Sequence, residues 1–191
     1  MKLKEAYTQK QLNQVCTLYE ESFPDGEKRP FQMILEGREA GNYEILVIED
    51  DEEAFLGLAI TMLYGELVLL DYFAVSPTCR GTGLGSEALK ALQKRYEGRR
   101  LLLEIESTVG MKEGSEMSGD SGNAAEAVLR RRRKEFYLRN GMQSMDFLID
   151  YFGVEMELMT YQCSVTFEEY HSILERNFPA HMADRVRLLS D

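Results

Sequence analysis

Residues 79–89 read CRGTGLGSEAL: three glycines in five positions, an arginine in front and a helical pattern behind. The start of a helix carries unpaired N–H groups and a partial positive charge, so it binds anions. Glycines let a phosphate approach the backbone and allow dihedrals that other residues avoid. Gly81, Gly83 and Gly85 therefore predict a phosphate cradle at a strand–loop–helix junction. The ATP-type loop needs Gly-Lys-Ser/Thr, and Gly85 is followed by Ser86 with no lysine. The dinucleotide fingerprint needs a glycine at its sixth position. Counted from Gly81 that position is Ser86; counted from Gly83 it is Ala88, which a looser form allows. That fingerprint follows the first strand of a parallel sheet, whereas three antiparallel-looking strands precede this loop.

Composition narrows the setting. The chain has 191 residues, 44% hydrophobic and 29% charged, which suits one soluble globular domain. No apolar run approaches the roughly 20 residues that span a membrane. The opening MKLKEAYTQKQ lacks the apolar core of a signal peptide, so a cytoplasmic location is expected, with no membrane partner. Cys16, Cys79 and Cys163 are odd in number and far apart, as reduced thiols would be. With two histidines and no Cys/His cluster, no metal site is expected. A formal net charge of -11 disfavours nucleic acid. The basic run RRRRK at 130–134 points all around a helix and makes no single stripe. The acidity keeps the chain soluble and weakly favours a cationic small partner.

The loop must be held by its neighbours. Thr8-Gln9-Lys10-Gln11 matches a capping box and predicts a helix from about residue 9 to Glu21, with Leu12, Val15, Leu18 and Tyr19 on one face. A second short helix is predicted near Pro30. EILVIE (44–49), AFLGLAITML (54–63) and ELVLLDYFAV (66–75) read as strands, joined by breaks too short for a parallel crossover. A helix follows the glycine loop to about Glu97, then LLLEIES (101–107) as a buried strand. MKEGSEMSGDSGN (111–123) reads as a mobile loop or insertion. A helix from about Ala124 to Asn140 comes next, then strands MDFLIDYF (145–152) and VEMELMTYQCS (154–164). Thr166-Phe167-Glu168-Glu169 opens a C-terminal helix. The result is a mixed α/β domain, with no internal repeat and no second domain.

Arg80-Gly81-Thr82-Gly83-Leu84-Gly85 resembles the Arg/Gln-x-x-Gly-x-Gly/Ala motif of the GNAT superfamily of acyl-CoA-dependent N-acyltransferases. The likeness extends through LLDYFAVSPTCRGTGLGSEAL, and FYLRNGM (136–142) is similar to the Phe-Tyr-x-x-x-Gly-Phe segment, with Met142 in place of the phenylalanine. Element order agrees as well. The resemblance covers roughly residues 1–162 and leaves 163–191 as a helical extension of the same domain. It implies a mostly antiparallel sheet flanked by helices, with a splayed strand pair that receives coenzyme A.

The resemblance implies that residues Arg80, Gly81, Thr82, Gly83, Leu84, Gly85 and Ser86 hold the pyrophosphate of coenzyme A. The exposed backbone around Phe73, Ala74 and Val75 would pair with the pantetheine arm as an added strand does. An amine would attack acetyl-CoA directly. An alkyl ammonium, with a pKa of about 10.4, must first lose a proton, and a carboxylate can take it. Asp71, in an otherwise apolar strand and four residues before Val75, is the first candidate base, and Glu104 and Glu106 are the second. Either carboxylate could instead be structural, Asp71 hydrogen-bonded and Glu104 paired with an arginine of the run 130–133. Tyr137 matches the family's general acid, which protonates the leaving thiolate. Many members carry an asparagine seven residues before that tyrosine. Here Arg130 stands there, so the contact is lost or becomes a charge contact to phosphate. The acceptor is expected to be a small amine or peptide amine. Loop 111–123 and the tail would shape the acceptor site or a contact between two copies. The competing function is an acyl-CoA sensor or scaffold with the same fold and no turnover.

Overall fold

The computed structural model of the protein describes residues 1–109 and 121–189. The chain opens on a short strand that sequence reading missed, β1 (Lys2–Glu5). Helix α1 (Gln9–Ser22) then starts on its capping box. The Gln11 N–H donates to Thr8 Oγ1 at 3.2 Å, and the Thr8 N–H donates to Gln11 Oε1 at 3.1 Å, so two helix-end donors are satisfied reciprocally. Val15, Leu18 and Tyr19 are its buried face. Helix α2 (Phe31–Glu39) follows Pro30. Three antiparallel strands come next: β2 (Tyr43–Glu49), β3 (Phe55–Tyr64) and β4 (Leu67–Val75).

A single 3-10 turn at Pro77–Cys79 leads into α3 (Leu84–Arg95), and β5 (Arg100–Glu106) returns beside β4. The stretch predicted as a loop at 111–123 lies outside the described residues up to 120, and its last three residues already belong to α4 (Ser121–Arg139). Strands β6 (Met142–Tyr151) and β7 (Val154–Tyr161) form a hairpin. Helix α5 (Phe167–Asn177) again starts on a capping box, between Thr166 and Glu169. A short α6 (Ala180–Ala183) and β8 (Val186–Leu189) complete the chain. The tail is thus not only helical: β8 pairs with β6 and adds a strand.

The eight strands run in the order β1-β2-β3-β4-β5-β7-β6-β8, and every pair is antiparallel except β4 with β5. This is the mixed, mostly antiparallel α/β fold that the sequence predicts. On one face, α1, α2 and α5 cover a core built from Val15, Tyr19, Ile34, Ile60, Leu69, Leu102, Tyr170 and Ile173. On the other, α3 and α4 cover Leu46, Leu70, Leu89, Leu92, Leu101, Leu103 and Ile105. Glu157, buried on β7, ties α4 to the sheet: Lys134 bonds its carboxylate at 2.5 Å, and the Thr108 N–H and hydroxyl donate to it at 2.8 and 2.9 Å. Burial pushes this carboxyl upward, but the bonds from Lys134 and Thr108 outweigh it and hold it below the ordinary range.

Among the described residues the three cysteines are unpaired, no helix is long and apolar enough to cross a membrane, and no group of three or more His, Cys, Asp or Glu side chains is placed to hold a metal ion.

Candidate active site

The glycine loop leaves a row of backbone donors open at the mouth of α3. Gly81 and Gly83 have φ of +79° and +91°, the left-handed region that glycine alone enters freely. Gly83 is the N-cap of α3 and has no side chain to offer, so the helix starts with its donors open. The N–H groups of Gly81, Thr82, Gly83, Leu84 and Gly85 bond no described residue. Five consecutive free donors at a helix mouth fit a pyrophosphate. Buried Leu84 and Ala88 anchor the start of α3 against Ile48, and Thr82 steadies the loop by donating to the Cys79 carbonyl at 2.7 Å. Arg80 is exposed beside it.

Next to the loop the sheet opens. β4 and β5 pair only at Leu67↔Arg100, Val68↔Leu101 and Leu69↔Leu102, and beyond that they diverge. On the other side of β4, Ala74 lies opposite Leu58 and the Ser76 N–H donates to the Leu56 carbonyl at 2.8 Å. Backbone bonding alternates along an antiparallel strand, so Phe73 and Val75 turn their N–H and C=O groups away from β3 and into the opening. Ala74, grouped with them in the sequence reading, spends its backbone on β3. Two residues rather than three thus offer an edge to an extended ligand.

A register shift sets the carboxylates. Thr61 pairs with Leu70 and Ile60 with Tyr72, which leaves Asp71 as the extra residue of a bulge. Its carboxylate is 7% exposed and is engaged by the Arg29 guanidinium, itself 10% exposed. Arg29 arrives from the loop before α2 and lies over the rings of Tyr43, Tyr72 and Phe178 at 5.7, 5.4 and 4.8 Å. Asp71 therefore sits in a buried ion pair. Asp71→Ala would strand that guanidinium and is expected to cost about 3–5 kcal/mol in urea unfolding. Asp71→Ala combined with Arg29→Met should recover much of the loss. A loss near zero in the single variant would mean the pair is not structural.

Glu104 has a different partner. It does not meet the arginines of α4; the Tyr170 hydroxyl of α5 donates to it from the opposite face. Burial raises its pKa, while the bond from Tyr170 and the charge of Arg29 oppose the rise. Glu106 is the carboxylate that takes the arginines: Arg130 lies 2.8 Å and Arg133 3.3 Å from it. Arg130, at the position where asparagine was expected, is held by Glu106 and Glu126.

Tyr137 lies on the α3–α4 face of the sheet, its ring 5.1 Å from Phe136 in an edge contact. A Cβ at Gly85 would stand 3.5 Å from the Phe136 ring, so the two sequence motifs meet in space. Burial pushes the Tyr137 hydroxyl up to about 12, with Arg133 opposing, and the hydroxyl bonds no described residue. It is a protonated donor at neutral pH with no partner among the described residues.

Arg29, Tyr151 and Tyr170 were not singled out from sequence. Tyr170 lay on a predictable apolar stripe, and a buried tyrosine needs a partner for its hydroxyl, but only the fold says which.

Residues 12–112, which contain the glycine loop, β4 and Glu104, match the acetyltransferase (GNAT) family. No curated protein matches the chain in sequence. The fold is similar to a protein from Bacteroides thetaiotaomicron assigned to the GNAT family (TM-score 0.70, 22% identity, 92% of this chain and 95% of that one). It is also similar to an aminoglycoside 6'-N-acetyltransferase solved with coenzyme A (0.61, 16%, 84% and 96%). A third likeness is to the spermidine N-acetyltransferase of Vibrio cholerae, solved with coenzyme A and spermine (0.60, 11%, 88% and 96%). With the cradle at the mouth of α3 and the sheet opening beside it, the family match means that this chain belongs to the GNAT family of acetyltransferases.

Proposed function

We propose that the protein transfers an acetyl group from acetyl-CoA to a primary amine by direct attack, within one domain that comprises residues 1–162 and the tail 163–191. The observation that carries this reading is the run of five N–H groups from Gly81 to Gly85 that bond no described residue, set beside an opening between β4 and β5. Acetyl-CoA, a substrate here, supplies the activated acyl group as a thioester. Arg80 and the loop through Ser86 take its pyrophosphate. Phe73 and Val75 offer hydrogen bonds to its extended arm, and one of their N–H groups polarises the thioester carbonyl.

Glu104 is the base on this reading. It lies on β5 beyond the last residue paired with β4, is bonded by Tyr170 from the α5 face, has no cationic partner in contact among the described residues and keeps some accessible surface. Burial raises its pKa and makes it a better acceptor for an ammonium proton than an ordinary surface carboxylate. Asp71, bound to Arg29, shapes the bulge beside it. Tyr137, packed on the α3–α4 side of the sheet, gives its proton to the departing sulfur on this reading. The ammonium thus loses one proton to Glu104, which passes it to water; the nitrogen forms the C–N bond as the C–S bond breaks, Tyr137 protonates the departing thiolate, and the second proton that the nitrogen sheds as it becomes an amide returns through water to Tyr137.

Release of free thiol from acetyl-CoA, measured against a panel of small and peptide amines, tests the reading. Turnover with at least one amine is expected. Gly83→Val, which forces a β-branched residue to φ of +91°, should weaken coenzyme A binding about tenfold or more. Tight coenzyme A binding with no turnover on any amine would instead make the protein an acyl-CoA sensor.

A further inference from the structure

The tail lies outside residues 12–112, the part of the chain that carries the family match, yet it reaches the middle of the site. Its helix α5 is fixed at its start by two contacts. The Thr166–Glu169 capping box starts it, and Arg100 at the head of β5 binds Glu169 at 2.8 Å. Tyr170, Ile173 and Leu174 are fully buried against the sheet. Tyr170 follows directly on the capping box, and its hydroxyl ends on Glu104. The ring cannot swing away, because it is completely enclosed.

We infer that Tyr170 is a positioning residue for Glu104: the tail supplies the hydrogen bond that orients the base carboxylate toward the opening between β4 and β5. This rests on the assignment of Glu104 as the base. The groups facing Glu104 are few. Arg29 approaches from the loop before α2 with its charge already shared with Asp71 of β4, Tyr151 faces it from β6, and Tyr170 is the one side chain described as bonding it. Tyr43 of β2 lies beyond Arg29. His171, the neighbour of Tyr170, is turned to the Ala183 carbonyl and Glu175. Tyr137 is on the far side of the sheet.

A donor to a carboxylate favours its ionised form, so losing the donor makes the carboxylate harder to ionise. The base works only when ionised. Removing the Tyr170 hydroxyl should therefore move the acidic limb of the kcat profile to higher pH, and the lost aim of the carboxylate should lower the alkaline plateau as well. Coenzyme A affinity should not change. The experiment is a kcat–pH profile of Tyr170→Phe, read beside Glu104→Gln. A second protein, with 3-fluorotyrosine at position 170, keeps the shape and strengthens the donor; its limb should move to lower pH. That arm also decides the matter if Tyr170→Phe fails to fold. A limb unmoved in the foldable proteins, or a loss equal at all pH values, overturns the inference while Glu104 remains the base. If Glu104→Gln itself keeps full activity, the assignment of the base fails, and the inference falls with it.

Discussion

Glu104→Gln is expected to lower kcat by about 10²–10⁴-fold, the usual contribution of a positioned general base. Glutamine keeps the size and the acceptor oxygen that Tyr170 needs, but it cannot take a proton. The loss should not come from unfolding. Burial raises the Glu104 pKa in the folded protein. A carboxyl that binds its proton more tightly when folded supports the fold at low pH, and that support is lost as pH rises through the folded pKa. At neutral pH and above, the ionised Glu104 is thus a burden on stability. Glu104→Gln should be as stable as the wild type there, or more so, by thermal unfolding. A variant with lower activity and equal or higher stability is the signature of a group kept for chemistry. Unchanged kcat would remove Glu104 from the mechanism.

Tyr137→Phe is expected to lower turnover tenfold or more with little change in coenzyme A affinity. The ring packs with Phe136 and the α3 core, and phenylalanine keeps that packing. Only the hydroxyl is lost, and it has no bond to the described residues. Its pKa near 12 keeps it protonated through the neutral range, so it is always loaded as a donor. The effect should appear in kcat and kcat/KM alike, because the hydroxyl acts on charge that develops as the thiolate departs. An unchanged kcat in a protein that binds coenzyme A normally would exclude the role.

These two groups stand on opposite faces of the sheet, and the proposed reaction brings them together at the opening between β4 and β5. That arrangement was only partly legible in the sequence. The two capping boxes, at Thr8 and Thr166, placed α1 and α5 because an N-cap is a local pattern. The glycine loop was legible for the same reason: positive φ and a helix start are properties of a few consecutive residues. β1 and β8 were missed. Each has four residues, and both are edges of the sheet, where a strand need not show an apolar run. Lys4, which looks like a surface residue, is there to pair with buried Glu49.

Asp71 shows the deeper limit. Simple alternation along LVLLDYFAV would put Leu69 and Asp71 on one face and Leu70 and Tyr72 on the other. The bulge breaks that period, so Tyr72 joins Leu69 in the α1–α5 core and Phe73 joins Leu70 on the α3 side. Nothing local in the sequence marks the slip. Nor does anything local connect Asp71 with Arg29, 42 residues earlier, or Glu104 with Tyr170, 66 residues later. The sequence narrowed the base to a few carboxylates, and the choice among them depends on these distant partners.

The central claim is that coenzyme A lies on the α3 loop and runs into the opening beside β4. Backbone amide NMR during a titration with coenzyme A tests it most directly. The largest shifts should fall on Gly81, Thr82, Gly83, Leu84 and Gly85, with a second set at Phe73 and Val75. Shifts that spare the loop and gather elsewhere, for example at the groove of about 530 Å³ lined by Gly41, Tyr64, Arg99 and Arg176, would contradict it.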